Sequence, residues 1–114
     1  MKKIVSTNNA PAAIGPYSQA NLVNDVLYIS GQIPIDPSTG NLVDGIEKET
    51  HQVMKNLKAI LEEAGMSFSN VVKSTIFLKS MDDFAVMNEI YASYFEGGNY
   101  PARETVEVSC LPKM

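Results

Sequence analysis

The sequence predicts an α+β domain in which two helices pack on one face of a single sheet. Three observations carry this prediction. From Arg103 to Cys110 the residues alternate with the two-residue period of a strand, and β-branched runs at Val26–Ser30 and Asn70–Lys79 read as further strands. From Asp44 the period lengthens to that of an amphipathic helix, and it does so again after Ser80. Each helical stretch then ends in glycine, at Gly65 and at Gly97-Gly98.

Taken in order, Ile4-Val5 is a short apolar start, and Ser6 to Pro16 is an ordered loop or extended segment without a period. Gly15-Pro16 fixes a turn that sets Tyr17 in a defined place, either lining a site or at a subunit contact. Asn24-Asp25 joins a weak strand, Gln19–Val23, to a stronger one, Val26–Ser30. Gly31 interrupts that strand before Ile33-Pro34-Ile35, so Ser30-Gly31 either exposes peptide groups in a pocket or bends the chain. Asp36–Asn41 is a loop with strong turn chemistry.

The first helix spans residues 45–64, with a stripe of Ile46, Thr50, Val53, Met54, Leu57, Ile60, Leu61 and Ala64 and an expected capping box of Asp44 and Glu47. His51 lies beside the stripe with no acidic or nucleophilic partner placed by spacing. Ser80 and Asp83 offer a cap to the second helix, whose apolar side carries Phe84, Met87, Ile90, Tyr91, Tyr94 and Phe95 and which runs to Gly97-Gly98. Asn88 sits at the edge of that face, where its amide either pins a loop or supports a site. In the last strand, alternation lays Val106, Val108 and Cys110 against a core and turns Arg103 and Thr105 to the opposite face. Arg103 follows the stiff Pro101, so it either clamps a planar carboxylate through two parallel hydrogen bonds or pairs with a nearby glutamate.

Composition bounds the function. The 114 residues make one domain, with 45% hydrophobic and 19% charged residues, the balance of an ordinary globular protein. The net charge of −4, with no basic cluster beyond Lys2-Lys3, argues against a nucleic-acid surface but permits a small anionic ligand. Neither a signal peptide nor a membrane-length apolar run is visible, so the expected compartment is the cytoplasm and no membrane partner is expected. Cys110 is the single cysteine, expected to be a packed, reduced thiol. Two helices cannot cover both faces of a sheet, and that asymmetry points to oligomerisation.

With these pieces in place the chain resembles the RidA (YjgF) family of reactive intermediate (enamine/imine) deaminases. The resemblance rests on Gly15-Pro16-Tyr17-Ser18-Gln19, Ser30-Gly31-Gln32-Ile33-Pro34, Gly40, Ala64-Gly65, Met87-Asn88 to Tyr91, and Tyr100-Pro101-Ala102-Arg103 running to Leu111-Pro112-Lys113. It covers residues 1–114 as a single RidA-like domain. It implies a chorismate-mutase-like α+β fold assembled as a homotrimer around a central barrel, with clefts between subunits. It also implies hydrolytic deamination of 2-aminoacrylate-type enamine and imine intermediates to 2-oxo acids and ammonia, with neither cofactor nor metal. By the same resemblance Arg103 is the catalytic residue that grips the substrate carboxylate, and Tyr17, Ser30, Gly31, Asn88 and Thr105 line the substrate pocket.

Two departures from the family pattern stand out. Thr105 occupies a position that is often cysteine or another small residue, and the chain ends at Met114, before the strand and pocket glutamate that the family carries after Leu-Pro-Lys. A different class of function uses the same arginine: a non-catalytic module that binds 2-oxo acids or other small carboxylates. Endoribonuclease or translation-inhibitor activity, associated with relatives, is disfavoured by the acidic balance.

Overall fold

A computed structural model describes residues 1–112. Lys113 of the Leu111-Pro112-Lys113 motif and the end at Met114 lie outside the described residues. The strands are β1 Lys3–Val5, β2 Ala20–Val23, β3 Val26–Ile29, β4 Ile35–Asp36, β5 Asn41–Leu42, β6 Lys73–Leu78 and β7 Ala102–Glu107; the helices are α1 Ile46–Glu63 and α2 Phe84–Ala92. No helix among them is long and apolar enough to cross a membrane.

The expected single sheet is instead three ladders among the described residues: β1-β2-β3 antiparallel, β4-β5 antiparallel, and β6-β7 parallel. Asn24 and Asp25 make the β2–β3 turn with φ of 48° and 67°, the left-handed pair that follows the twist of two strands. The expected loop at Asp36–Asn41 closes a small hairpin, because Asp36 Oδ1 accepts from the Ser38 amide at 2.9 Å and from its hydroxyl at 2.7 Å. Parallel strands cannot be joined by a tight turn, so β6 and β7 require a crossover, and α2 is that crossover.

The stripe of α1 is turned inward as its period predicts, with Thr50, Met54, Ile60 and Leu61 buried. Its expected cap is not formed: Gly45, at φ 95°, takes the N-cap position, which leaves Asp44 one residue too early. At the other end Gly65, at φ 75°, donates to Glu62 O, and Met66 donates to Leu61 O, so the last carbonyls are satisfied. Ser80 caps a 3-10 turn, Met81–Asp83, that leads into α2, and its hydroxyl accepts from the Asp82 amide at 3.1 Å. α2 stops at Ala92, well before Gly97-Gly98, because Phe95 adopts extended backbone and buries its ring against Tyr91 and Phe68.

Two apolar clusters meet α1. Met54 joins Leu78, Met87, Tyr91 and Phe95 beneath β6 and α2, whereas Ile60 joins Val5, Ala10 and Ala20 beneath the antiparallel ladder. Between them Asn56 is 0% exposed. Its Nδ2 donates to the carbonyls of Ile33 at 3.2 Å and Ile35 at 3.0 Å, and its Oδ1 accepts from Gln52. This amide fixes the segment that follows Gly31 to the helix. Asn56→Ala removes a donor from both carbonyls, of which Ile33 O keeps the Ile35 amide at 2.8 Å, and is expected to cost about 2–4 kcal/mol. Urea unfolding at fixed protein concentration checks this; a loss below about 1 kcal/mol would show that water replaces the amide.

Candidate functional site

Arg103 enters the site through the register of the parallel ladder, in which it stands opposite Ser74 while Glu104 stands opposite Thr75. Alternation sends these neighbours to opposite faces. The inner face of β7 is the reverse of the one expected. Arg103 and Thr105 are half-buried beneath α2, while Val106 and Cys110 are exposed; Val108, just past the end of β7, is half-buried and alone of the three keeps part of the expected burial. The guanidinium can sit on this side because it meets aromatic faces and not aliphatic packing. Its Cζ lies 5.1 Å from the Tyr91 ring centroid and 5.6 Å from that of Phe84. Such a stack favours the cation and is open to the planar guanidinium, which presents its N–H groups in its own plane.

The alternative partner is accounted for elsewhere. Glu104 Oε1, on the outer face, accepts from Thr75 Oγ1 at 2.9 Å and from Lys73 Nζ at 3.3 Å. Among the described residues, no ion pair or hydrogen bond engages the Arg103 guanidinium. Arg103 therefore faces a cleft of about 460 Å³ with its donors available, and Asn88, Tyr91, Ala92, Tyr100 and Pro101 line the rest. The Asn88 side chain makes no hydrogen bond to a loop among the described residues, so of its two readings the cleft-lining one matches its position. Thr105 lies two residues further along the strand, with a buried Oγ1 that has no hydrogen-bond partner among the described residues.

Tyr17, Ser30 and Gly31 do not line this cleft. Tyr17 is exposed on a separate polar cleft with Ser6, Thr7, Asn8, Gln19 and Glu63, held by a tight turn in which its amide donates to Gly15 O at 2.9 Å. Ser30 is committed within the chain, its hydroxyl donating to Ser18 O at 2.6 Å and its amide to Gln19 O at 2.9 Å. Gly31 has ordinary φ, and a Cβ added there would meet nothing within 4 Å, so this chain alone does not require glycine at that position. His51 is exposed and shares a 2.8 Å hydrogen bond with Tyr94 OH, away from Arg103's cleft. Among the described residues no three His, Cys, Asp or Glu side chains gather where they could hold a metal ion. The contact of Arg103 with the Phe84 and Tyr91 rings is not legible in the sequence. Phe84, Asn88 and Tyr91 share one helical face, but nothing local says that an arginine lies across from it.

Comparison with known proteins gives this geometry a context. The family described as Endoribonuclease L-PSP matches residues 7–114. The chain belongs to this family, that of the Rid proteins. A 2-iminobutanoate/2-iminopropanoate deaminase of Rattus norvegicus is 53% identical over 99% of this chain and 82% of its own length. A RutC family protein of Pyrococcus horikoshii is 58% identical, over 99% and 90%. A crystal structure of a Rid family protein from Yersinia pestis superposes with a TM-score of 0.97 at 54% identity, covering 99% of this chain and 90% of that one. The Rid fold is thus the α+β architecture described above, with two helices over its sheets.

The outer-face triad yields a titration prediction. The Thr75 hydroxyl first, then Lys73, hold the Glu104 carboxyl below its ordinary value of 4.5. A carboxylate depressed in the folded state stabilises that state above its unfolded pKa and loses the contribution as pH falls through the folded pKa. Thr75→Ala is expected to raise the Glu104 pKa toward 4.5, read by carboxyl NMR titration; an unchanged midpoint would remove the hydroxyl as the main cause.

Proposed function

We propose that this Rid protein hydrolyses reactive 2-aminoacrylate-type enamines, through their imine tautomers, to 2-oxo acids and ammonia. The observation that carries the reading is Arg103, a half-buried guanidinium stacked on two rings, unpaired among the described residues and directed at a cleft. A planar carboxylate is the partner its two-pronged donor set fits. The deaminase name borne by relatives about half identical over the whole chain supports an imino acid as the owner of that carboxylate.

The chemistry asks little more of the protein. In the protonated imine, the carbon beside the carboxylate is already electrophilic. The oxygen of water bonds to that carbon and the C=N electron pair moves onto nitrogen. The resulting carbinolamine gives up its hydroxyl proton, the C–N bond breaks, and nitrogen leaves as ammonia with the proton it needs. Arg103 holds the carboxylate so that one face of the carbon meets water, and positioning of this kind contributes several kcal/mol, on the order of 5. Asn88 supplies a donor and an acceptor in the same cleft, and Thr105 a hydroxyl beneath it.

Tyr17, Ser30 and Gly31 complete the pocket from a neighbouring copy in a cytoplasmic homotrimer with a central barrel. Two features support assembly. The outer strand faces carry Tyr28 at 64% exposure and Phe77 at 56%, beside Ile4, Val26 and Val106, an apolar surface that a lone chain leaves in water. Asn21 Oδ1, on the same outer row as Ile4 and Tyr28, is buried without a partner among the described residues. The net charge of −4 favours deamination over the RNA cleavage that the family description names.

Arg103→Ala is expected to lower kcat/KM for 2-oxo acid release, in a serine or threonine dehydratase reaction, by about 100-fold or more, since two charge-assisted hydrogen bonds are lost. Arg103→Lys should recover little of it. Arg103-dependent binding of 2-oxobutyrate without any acceleration by the parent would replace the deaminase with a binding module.

A further inference from the structure

We infer that Ser74 and Tyr91 are positioning residues for Arg103, a two-part mount that holds the guanidinium plane in register with the carboxylate. The inference rests on the deaminase reading only for the identity of the ligand that carries the carboxylate. Tyr91 is 7% exposed, packed against Phe95 with ring centroids 4.9 Å apart, and its ring lies 5.1 Å from Arg103 Cζ. A ring packed on one side can still turn about its long axis and shift along the helix. Its hydroxyl removes part of that freedom by donating to Ser74 Oγ at 3.0 Å.

Ser74 is the residue of β6 that the ladder sets directly opposite Arg103 of β7, so the hydrogen bond ties the helix that carries the shelf to the strand paired with the arginine's own, at the register position of the arginine. Phe84, on the same helix, gives a second ring contact at 5.6 Å. A guanidinium held against ring faces in this way keeps its N–H groups available and loses part of its freedom to turn. Only that arrangement lets both donors reach one carboxylate at the same time. A long, unpaired arginine without such a mount would lose much of its two-pronged geometry to side-chain motion.

The mount predicts coupling, which an ordinary core role does not. Two readouts are taken: kcat and KM for 2-oxo acid release in the dehydratase reaction, and the dissociation constant of 2-oxobutyrate by calorimetry. Ser74→Ala and Tyr91→Phe break the same hydrogen bond and are expected each to weaken binding and raise KM by about 3–5-fold, with kcat changed less. The double variant should be no worse than either alone. Tyr91→Leu removes the ring and should weaken binding about tenfold. Ser74→Thr, which keeps an acceptor, should restore the parent values. In an Arg103→Ala background all these changes should vanish, as residues acting through one group do in a double-mutant cycle. Tyr91→Phe retains the ring, so a folding failure of Tyr91→Leu leaves the cycle intact.

Acceleration by the parent, with effects of Ser74 and Tyr91 that persist unchanged without Arg103, would overturn the mount while the deaminase reading stands. No acceleration, with 2-oxobutyrate binding that shows the full coupling, would remove the deaminase reading and keep the mount. Neither acceleration nor binding would overturn both.

Discussion

The parallel register of β6 and β7 is the constraint on which the candidate site depends. Once Ser74 stands opposite Arg103, every second residue of both strands is committed to the same side. A parallel pair also obliges the chain to return by a crossover, and the crossover must cover one face of the pair. Here it is α2, so the face bearing Phe84, Asn88 and Tyr91 is brought over the face bearing Arg103. Ladder and helix therefore belong to one geometric decision. A one-residue slip would exchange Arg103 for Glu104 beneath α2 and put a carboxylate against two aromatic faces.

That decision also sorts charge. Arg103 and Glu104 are adjacent in sequence and opposite in sign, yet the pleat keeps them on different faces. Glu104 is held in an exposed group with Lys73 and Thr75, where ion pairing contributes little to stability because water screens it. Arg103 is placed where the ring faces compensate part of its lost hydration and no carboxylate among the described residues competes for its donors. A cation kept in that state has affinity to spare for an external anion.

Two buried amides do comparable work on the backbone. Asn56 ties the Ile33–Ile35 segment to α1, and Gln19 gathers the N-terminal loop through the Thr7 amide and the carbonyls of Thr7, Ala10 and Pro11. Irregular segments have no ladder of their own to satisfy their peptide groups, and a single carboxamide can serve several of them. Gln19 thereby fixes the loop from which Tyr17 projects. Thr105 Oγ1 and Asn21 Oδ1 stand in contrast, polar atoms shielded from water with no partner in the described chain.

The sequence by itself determined the local elements and the family. The 3.6-residue period found α1 and its buried stripe, Gly65 marked its end, Asn24-Asp25 the hairpin, and the ordered motifs from Gly15 to Arg103 were enough to identify a Rid protein. These are signals carried by neighbouring residues, because periodicity and turn chemistry act over a few positions. Tertiary structure decided what depends on distant partners. Alternation separated Arg103 and Thr105 from Val106 and Cys110, but it could not say which set faces inward. Valine on the buried side was the natural expectation, and the aromatic face of α2 overrode it. The same applies to the end of α2, where Phe95 leaves the helix to reach its cluster, and to the ladders, whose pairing joins residues far apart in the chain. Which face is buried is a property of what packs on it, and that is not written in the strand.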